Sequence, residues 1–328
     1  MKPVIKGYAI LILFLFLSPT ACSHGPSIPK ALTTAAVYVP TDLKRSRFHG
    51  FAPVFLIPDT PHSHDRIGRP SARYDSAGNE KIYIDTHHPA IYFSEKKFKT
   101  ARREYTNLIY RIHFPGIPAS LFPFYLGFGN NVGLMVIVTL DSRQRPVLVT
   151  TAHTCGCYLA MVPTSFLPKD ALPKKWNTSS FGVYGETLPG MLDYESKSDP
   201  RLLISLRPDV HRVADMRMVD AHTLDDMTRV AMPVVSMATL AEIPINGGST
   251  SFYYEKGILK GYVKGSVKYW ETLFLSLISL DFFVGTDKAY KDSKETGKPF
   301  YTSLKPWNRS ASDMWHFDRF LTFWGWKL

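Results

Sequence analysis

The chain is predicted to fold as an α+β domain, β-dominated and mixed, with a few helices including one at the C-terminus. Short β-branched runs cut by turn residues recur along most of its 328 residues, while helical spacing is confined to a few segments. The two patterns do not alternate regularly, which argues against a parallel βαβ arrangement. With 45% hydrophobic and 20% charged residues, the chain has the composition of a folded protein and not of a disordered one.

Residues 1–22 stand apart. Lys2 and Lys6 precede an apolar run at 8–17, and Ser18-Pro19-Thr20-Ala21 leads into Cys22. This is the layout of an export signal, and the run is too short for a membrane span. Thr20, Ala21 and Cys22 resemble the lipobox of bacterial lipoproteins, although Pro19 stands where an aliphatic residue is usual. The resemblance implies acylation of Cys22, a membrane partner through that lipid, and residence in the bacterial cell envelope. Cleavage by ordinary signal peptidase, giving a soluble exported protein, is the other reading. There are three cysteines; lipid on Cys22 leaves the pair Cys155 and Cys157. The formal charge of +11, or +9 without Lys2 and Lys6, would favour anionic partners such as lipid head groups or acidic polymers, but cations so scattered read first as a solvated basic surface. The cations are scattered without a basic block, so nucleic acid is not an expected partner.

Residues 23–50, rich in Pro, Ser and Thr, read as a tether, and 51–328 as the globular domain, with a subdivision near 266. Prolines and His62, His64 and Asp65 mark 51–73 as looped. The turn 75–79 opens into an alternating strand at 81–85, which delivers His87 and His88 to its end. From Ser94, the spacing of Phe98, Ala101, Tyr105, Leu108 and Ile112 predicts a short helix followed by a strand over 108–114. Runs at 134–140 and 146–151 flank the polar turn 141–144 and predict a hairpin whose strands are apolar at nearly every position. After a loop-rich stretch, 201–206 predicts a strand with 213–219 as partner, and 223–227 a short helical turn. Residues 270–284 predict a buried or surface-docking helix; 288–298 read as a loop. In the tail, Met314, Phe317, Leu321 and Trp324 recur at helical spacing.

Chemistry concentrates at the end of the second hub strand, His153-Thr154-Cys155-Gly156-Cys157. In an extended chain His153, Cys155 and Cys157 share one side. They form the start of an N/S site for zinc or copper, with His62, His64, His87 and His88, and Asp65 or Asp85, to complete it. The competing reading is a Cys155–Cys157 disulfide, as an oxidising compartment favours, with a redox role open to it.

Two further readings stand beside these. The run 149–153 resembles the strand that presents the histidine of trypsin-like serine proteases. Asp199 before the apolar run 201–206, and Gly247-Gly248-Ser249, follow in that family's order. The resemblance implies a hydrolase using His153, Asp199 and Ser249, but Thr250 and Ser251 stand where the family has glycines. Alternatively the aromatic tail, Trp307, Trp315, Trp324 and Trp326 among Arg309, Arg319 and Lys327, serves a binding or structural module facing sugars or a membrane interface. A lipid-anchored envelope module with a metal or redox site at 153–157 is the reading adopted, with the hydrolase as alternative.

Overall fold

Two β-sheets share one apolar layer, and the strand that carries His153 belongs to the larger. A computed structural model describes residues 35–41, 47–58, 62–225 and 227–328. The larger sheet has six strands in the order β15-β5-β6-β7-β8-β9: β5 (Ile91–Lys99), β6 (Glu104–Ile117), β7 (Gly129–Leu140), β8 (Pro146–His153), β9 (Ala160–Pro163) and β15 (Val234–Ser236). The other runs β13-β12-β2-β1-β14: β1 (Ala35–Pro40), β2 (Val54–Pro58), β12 (Pro200–Leu206), β13 (Val213–Asp220) and β14 (Arg229–Met232). Three hairpins complete the strands: β3 (Arg69–Tyr74) with β4 (Glu80–Asp85), β10 (Ser180–Val183) with β11 (Glu186–Pro189), and β16 (Ile243–Ile245) with β17 (Gly248–Thr250).

Between the two sheets, Phe55 and Ile57 of β2 and Leu202 and Ile204 of β12 meet Tyr110, Ile112 and Phe114 of β6 and Leu134 and Val136 of β7. On the opposite face of the larger sheet, Ile109, Met135, Ile137, Leu148 and Ala152 pack under Phe317, Phe320 and Leu321 of the C-terminal helix α3 (Phe317–Phe323). The larger sheet is therefore covered on both faces, and its central strands cannot alternate polar with apolar residues. That is why β7 and β8 read as continuous apolar runs. The predicted hairpin forms, with Val138 opposite Val149 and Leu134 opposite His153. The strand pair β12–β13 also forms, antiparallel, Leu203 facing Arg217.

Several expectations need correction. The helix predicted from Ser94 is strand: β5 and β6 form an antiparallel hairpin with Phe98 opposite Tyr105, their rings stacked at 5.4 Å. The helical spacing arose because β6 is buried on both faces, which supplies apolar residues at intervals of three and four as well as two. Ala35–Pro40, expected within the tether, is β1, hydrogen-bonded between β2 and β14. The tail helix covers only 317–323, and Met314 precedes it. Within the loop expected at 288–298, a one-turn helix α2 (Ser293–Thr296) forms, capped by the Asp292 side chain. Residues 223–227 give a 3-10 turn at Ala221–Leu224. The leader with Cys22 lies outside the described residues.

The helix expected at 270–284 is α1 (Tyr269–Ser279), and it is inside out. Its buried residues are Glu271 and Ser279, while Leu273, Phe274, Leu277 and Ile278 are exposed. Among the described residues no helix is long and apolar enough to cross a membrane.

Candidate functional site

At the end of β8 the chain does not stay extended, as the parity argument assumed, but folds back. Gly156 N donates to His153 O at 2.7 Å, and His153 N donates to Cys157 O at 2.9 Å. Gly156 has φ +97, and a Cβ there would lie 2.1 Å from the carbonyl oxygen of Tyr301. Only glycine fits both demands. The turn closes the Cys155–Cys157 disulfide, with the two Cα atoms 5.7 Å apart. It also draws a ring nitrogen of His153 and both sulfurs to within 4.8 Å of one another.

His153 is 1% exposed. Its Nε2 lies 3.2 Å from the backbone oxygen of His211. A carbonyl only accepts, so Nε2 carries the proton and Nδ1 is the nitrogen with a lone pair. Nδ1 is buried and without a hydrogen-bond partner. Burial, reinforced by the Lys268 ammonium, pulls the His153 pKa down to about 3. The ring is thus neutral at any physiological pH, the form that ligates a metal.

Behind the turn lies a buried ionic network. Asp287 accepts from the hydroxyls of Thr154 and Ser266, the latter at 2.7 Å, and its Oδ2 is 3.3 Å from Lys268 Nζ. Burial alone would raise the Asp287 pKa. Lys268 and the two hydroxyls outweigh it and hold the carboxyl below its ordinary value. The neighbouring Lys288 uses its backbone N–H to reach Thr154 O at 2.8 Å and its Nζ to reach Cys155 O at 3.0 Å. Burial brings its pKa down to about 8. Arg111 of β6 donates to Lys288 O at 2.8 Å. Glu271 of α1 faces the same interior, and burial raises its pKa. Two lysines and an arginine thus back the cysteine turn, an environment that favours thiolate once the disulfide opens.

Sequence reasoning missed Asp287, Lys268 and Lys288. Their only signal is that charges bracket the apolar run of α1, a pattern equally expected of solvent-facing helix flanks.

The remaining candidates lie elsewhere. His87 and His88 occupy the exposed turn after β4, where His88 Nδ1 bonds Asp85 Oδ2 at 2.7 Å, and neither joins the His153 group. The β3–β4 hairpin directs that turn to solvent. Asp199 is exposed and pairs with Arg201 at 3.1 Å. Ser249 is exposed on β17, opposite Pro244. Among the described residues no hydrogen bond links any two of His153, Asp199 and Ser249, so the order of the protease triad is present without its geometry.

No family profile, curated protein or solved structure matches this chain. The site is a closed disulfide beside a neutral imidazole with one free lone pair. When reduced it would become an N/S/S donor set.

Proposed function

We propose that this is an exported envelope protein, anchored by lipid at Cys22, whose chemistry is a redox-gated site for a soft metal ion. The observation that carries the site is His153: a buried ring held through Nε2 by a backbone carbonyl, with Nδ1 left without a hydrogen-bond partner and a ring nitrogen within 4.8 Å of two cysteine sulfurs. Ligating histidines commonly donate their second nitrogen in this way, which fixes tautomer and orientation. Opening the disulfide takes two electrons and two protons from an external dithiol, which is oxidised in turn. The two thiols then give up their protons as the metal binds. Three soft donors suit monovalent copper; zinc would require a fourth ligand, such as water. The test is competitive titration with a copper(I) chelator. Reduced protein should take up one equivalent and oxidised protein none at this site, and Cys155→Ser with Cys157→Ser should abolish the difference. Equal uptake by the two forms would refute the gate.

The setting at a membrane is supported by α1. The helix has one charged residue, Glu271, and it is turned inward. Outside, Leu277 and Ile278 are 80% and 64% exposed, and Phe124 from the neighbouring loop touches the rings of Trp270 and Phe274. Phe122 on that loop is 96% exposed. Surfaces of this kind mark contact sites. A bilayer is the occupant that the apolar face, the basic chain (+11, or +9 once Lys2 and Lys6 leave with the leader) and the expected lipid have in common. The helix would lie in the interface beside the anchor and not cross it.

A further inference from the structure

A second cluster lies on the far side of His211 from the cysteines. His64 and Asp65 come from the short 3-10 turn at Ser63–Asp65, and Asp209 and His211 from the connection between β12 and β13. A ring nitrogen of His64 and carboxylate oxygens of Asp65 and Asp209 lie within 4.8 Å of one another. His64 Nε2 is 2.8 Å from Asp209 Oδ1 and 3.6 Å from Asp65 Oδ2. Asp209 and His211 both adopt positive φ, +62 and +54, although neither is glycine. Such backbone strain is tolerated where surrounding structure enforces it.

His211 provides the second, independent observation. It is 1% exposed and stacks on Phe114 at 4.0 Å, and its Nε2 points at Asp65 Oδ1 from 3.3 Å. Yet neither ring nitrogen completes a hydrogen bond. A buried imidazole aimed so at a carboxylate of the cluster fixes that carboxylate in place, as the outer partner of a ligand does. We propose that His64, Asp65 and Asp209 bind a borderline divalent cation of the zinc class, with the buried His211 ring holding Asp65 from beneath. One imidazole and two carboxylates make a three-ligand set of the kind zinc accepts, with water to complete it. Asp65 and His211 form the buried floor, while His64 and Asp209, 24% and 31% exposed, leave an entrance. Tyr125 donates to Asp209 Oδ2 at 2.8 Å and would orient that ligand from behind.

This site shares no donor with the cysteine turn and needs no reduction, so the two separate cleanly. Unreduced full-length protein is titrated with Co²⁺, read by its visible d–d absorption, and with Zn²⁺ in competition with a chromophoric chelator. One equivalent of each is expected. His64→Gln and Asp209→Asn, both at the solvent side, should each weaken binding by at least about tenfold, and Tyr125→Phe by about tenfold. Circular dichroism checks that the variants stay folded. The Cys155→Ser, Cys157→Ser protein should bind Co²⁺ as the parent does. No stoichiometric uptake, or uptake unchanged by both ligand substitutions, would overturn the proposal. Uptake lost in the double-cysteine variant would do the same, by locating the ion at the cysteine turn.

Discussion

His153 Nε2 meets the backbone oxygen of His211 at 3.2 Å, so a side chain at the end of β8 is fixed by the turn between β12 and β13. The contact joins the two sheets at the site. It sets the tautomer of His153, and it ties the cysteine turn to the second cluster through one residue.

The buried histidines make stability depend on acid. The pKa of His153 is lowered to about 3, and those of His113 and His211 are also lowered, in each case chiefly by burial. The unfolded chain takes up protons near the ordinary histidine value of about 6.5. The folded chain does not until far lower pH, so stability is full above that value and is lost as pH falls below it. Each histidine contributes a slope of up to about 1.4 kcal/mol per pH unit. Urea unfolding between pH 7 and 5 should show this loss, and His153→Gln should flatten it by about one proton. A parallel profile for the variant would mean that His153 titrates alike in both states.

Gly156→Ala should be among the most damaging single substitutions. Both the positive φ and the Tyr301 carbonyl exclude a side chain, and the opposing atom is backbone and cannot swing away. A loss on the order of 2–4 kcal/mol is expected from strain and overpacking. Thermal melting of the variant measures it; a change below about 0.5 kcal/mol would show that the turn relaxes.

How far the sequence could be read depended on local pattern. The β7–β8 hairpin and the β12–β13 pair were legible because each runs between clear turn residues. The His153–Cys155–Cys157 group was legible because all three residues lie within five positions. β5 was not, since Phe98 and Tyr105 mimic helical spacing when they are in fact cross-strand partners. Asp287, Lys268 and His211 were invisible for a different reason. They lie on connecting segments that reach the site from 58 residues away or more, and no local signal separates an inward charge from a solvated one.

Membrane attachment should draw on both the lipid and the outward face of α1. Cys22→Ala should turn an integral protein into one extractable by carbonate. Adding Leu277→Glu and Ile278→Glu, at exposed positions that leave packing intact, should release it into the soluble fraction. Retention of the triple variant in the membrane pellet would contradict the assignment of that face.

Ser249 should not react with a fluorophosphonate probe, because it is exposed on the β17 hairpin and, among the described residues, no hydrogen bond joins it to His153. Labelling of Ser249 that disappears in His153→Ala would install the hydrolase in place of the metal site.

The most direct test of the central claim is X-ray absorption at the copper edge, on protein reduced and loaded with one equivalent of copper(I). The account predicts two sulfur scatterers and one imidazole nitrogen, with the sulfur shell gone in Cys155→Ser, Cys157→Ser and the imidazole signature gone in His153→Gln. A first shell of nitrogen and oxygen only, unchanged by those substitutions, would contradict it.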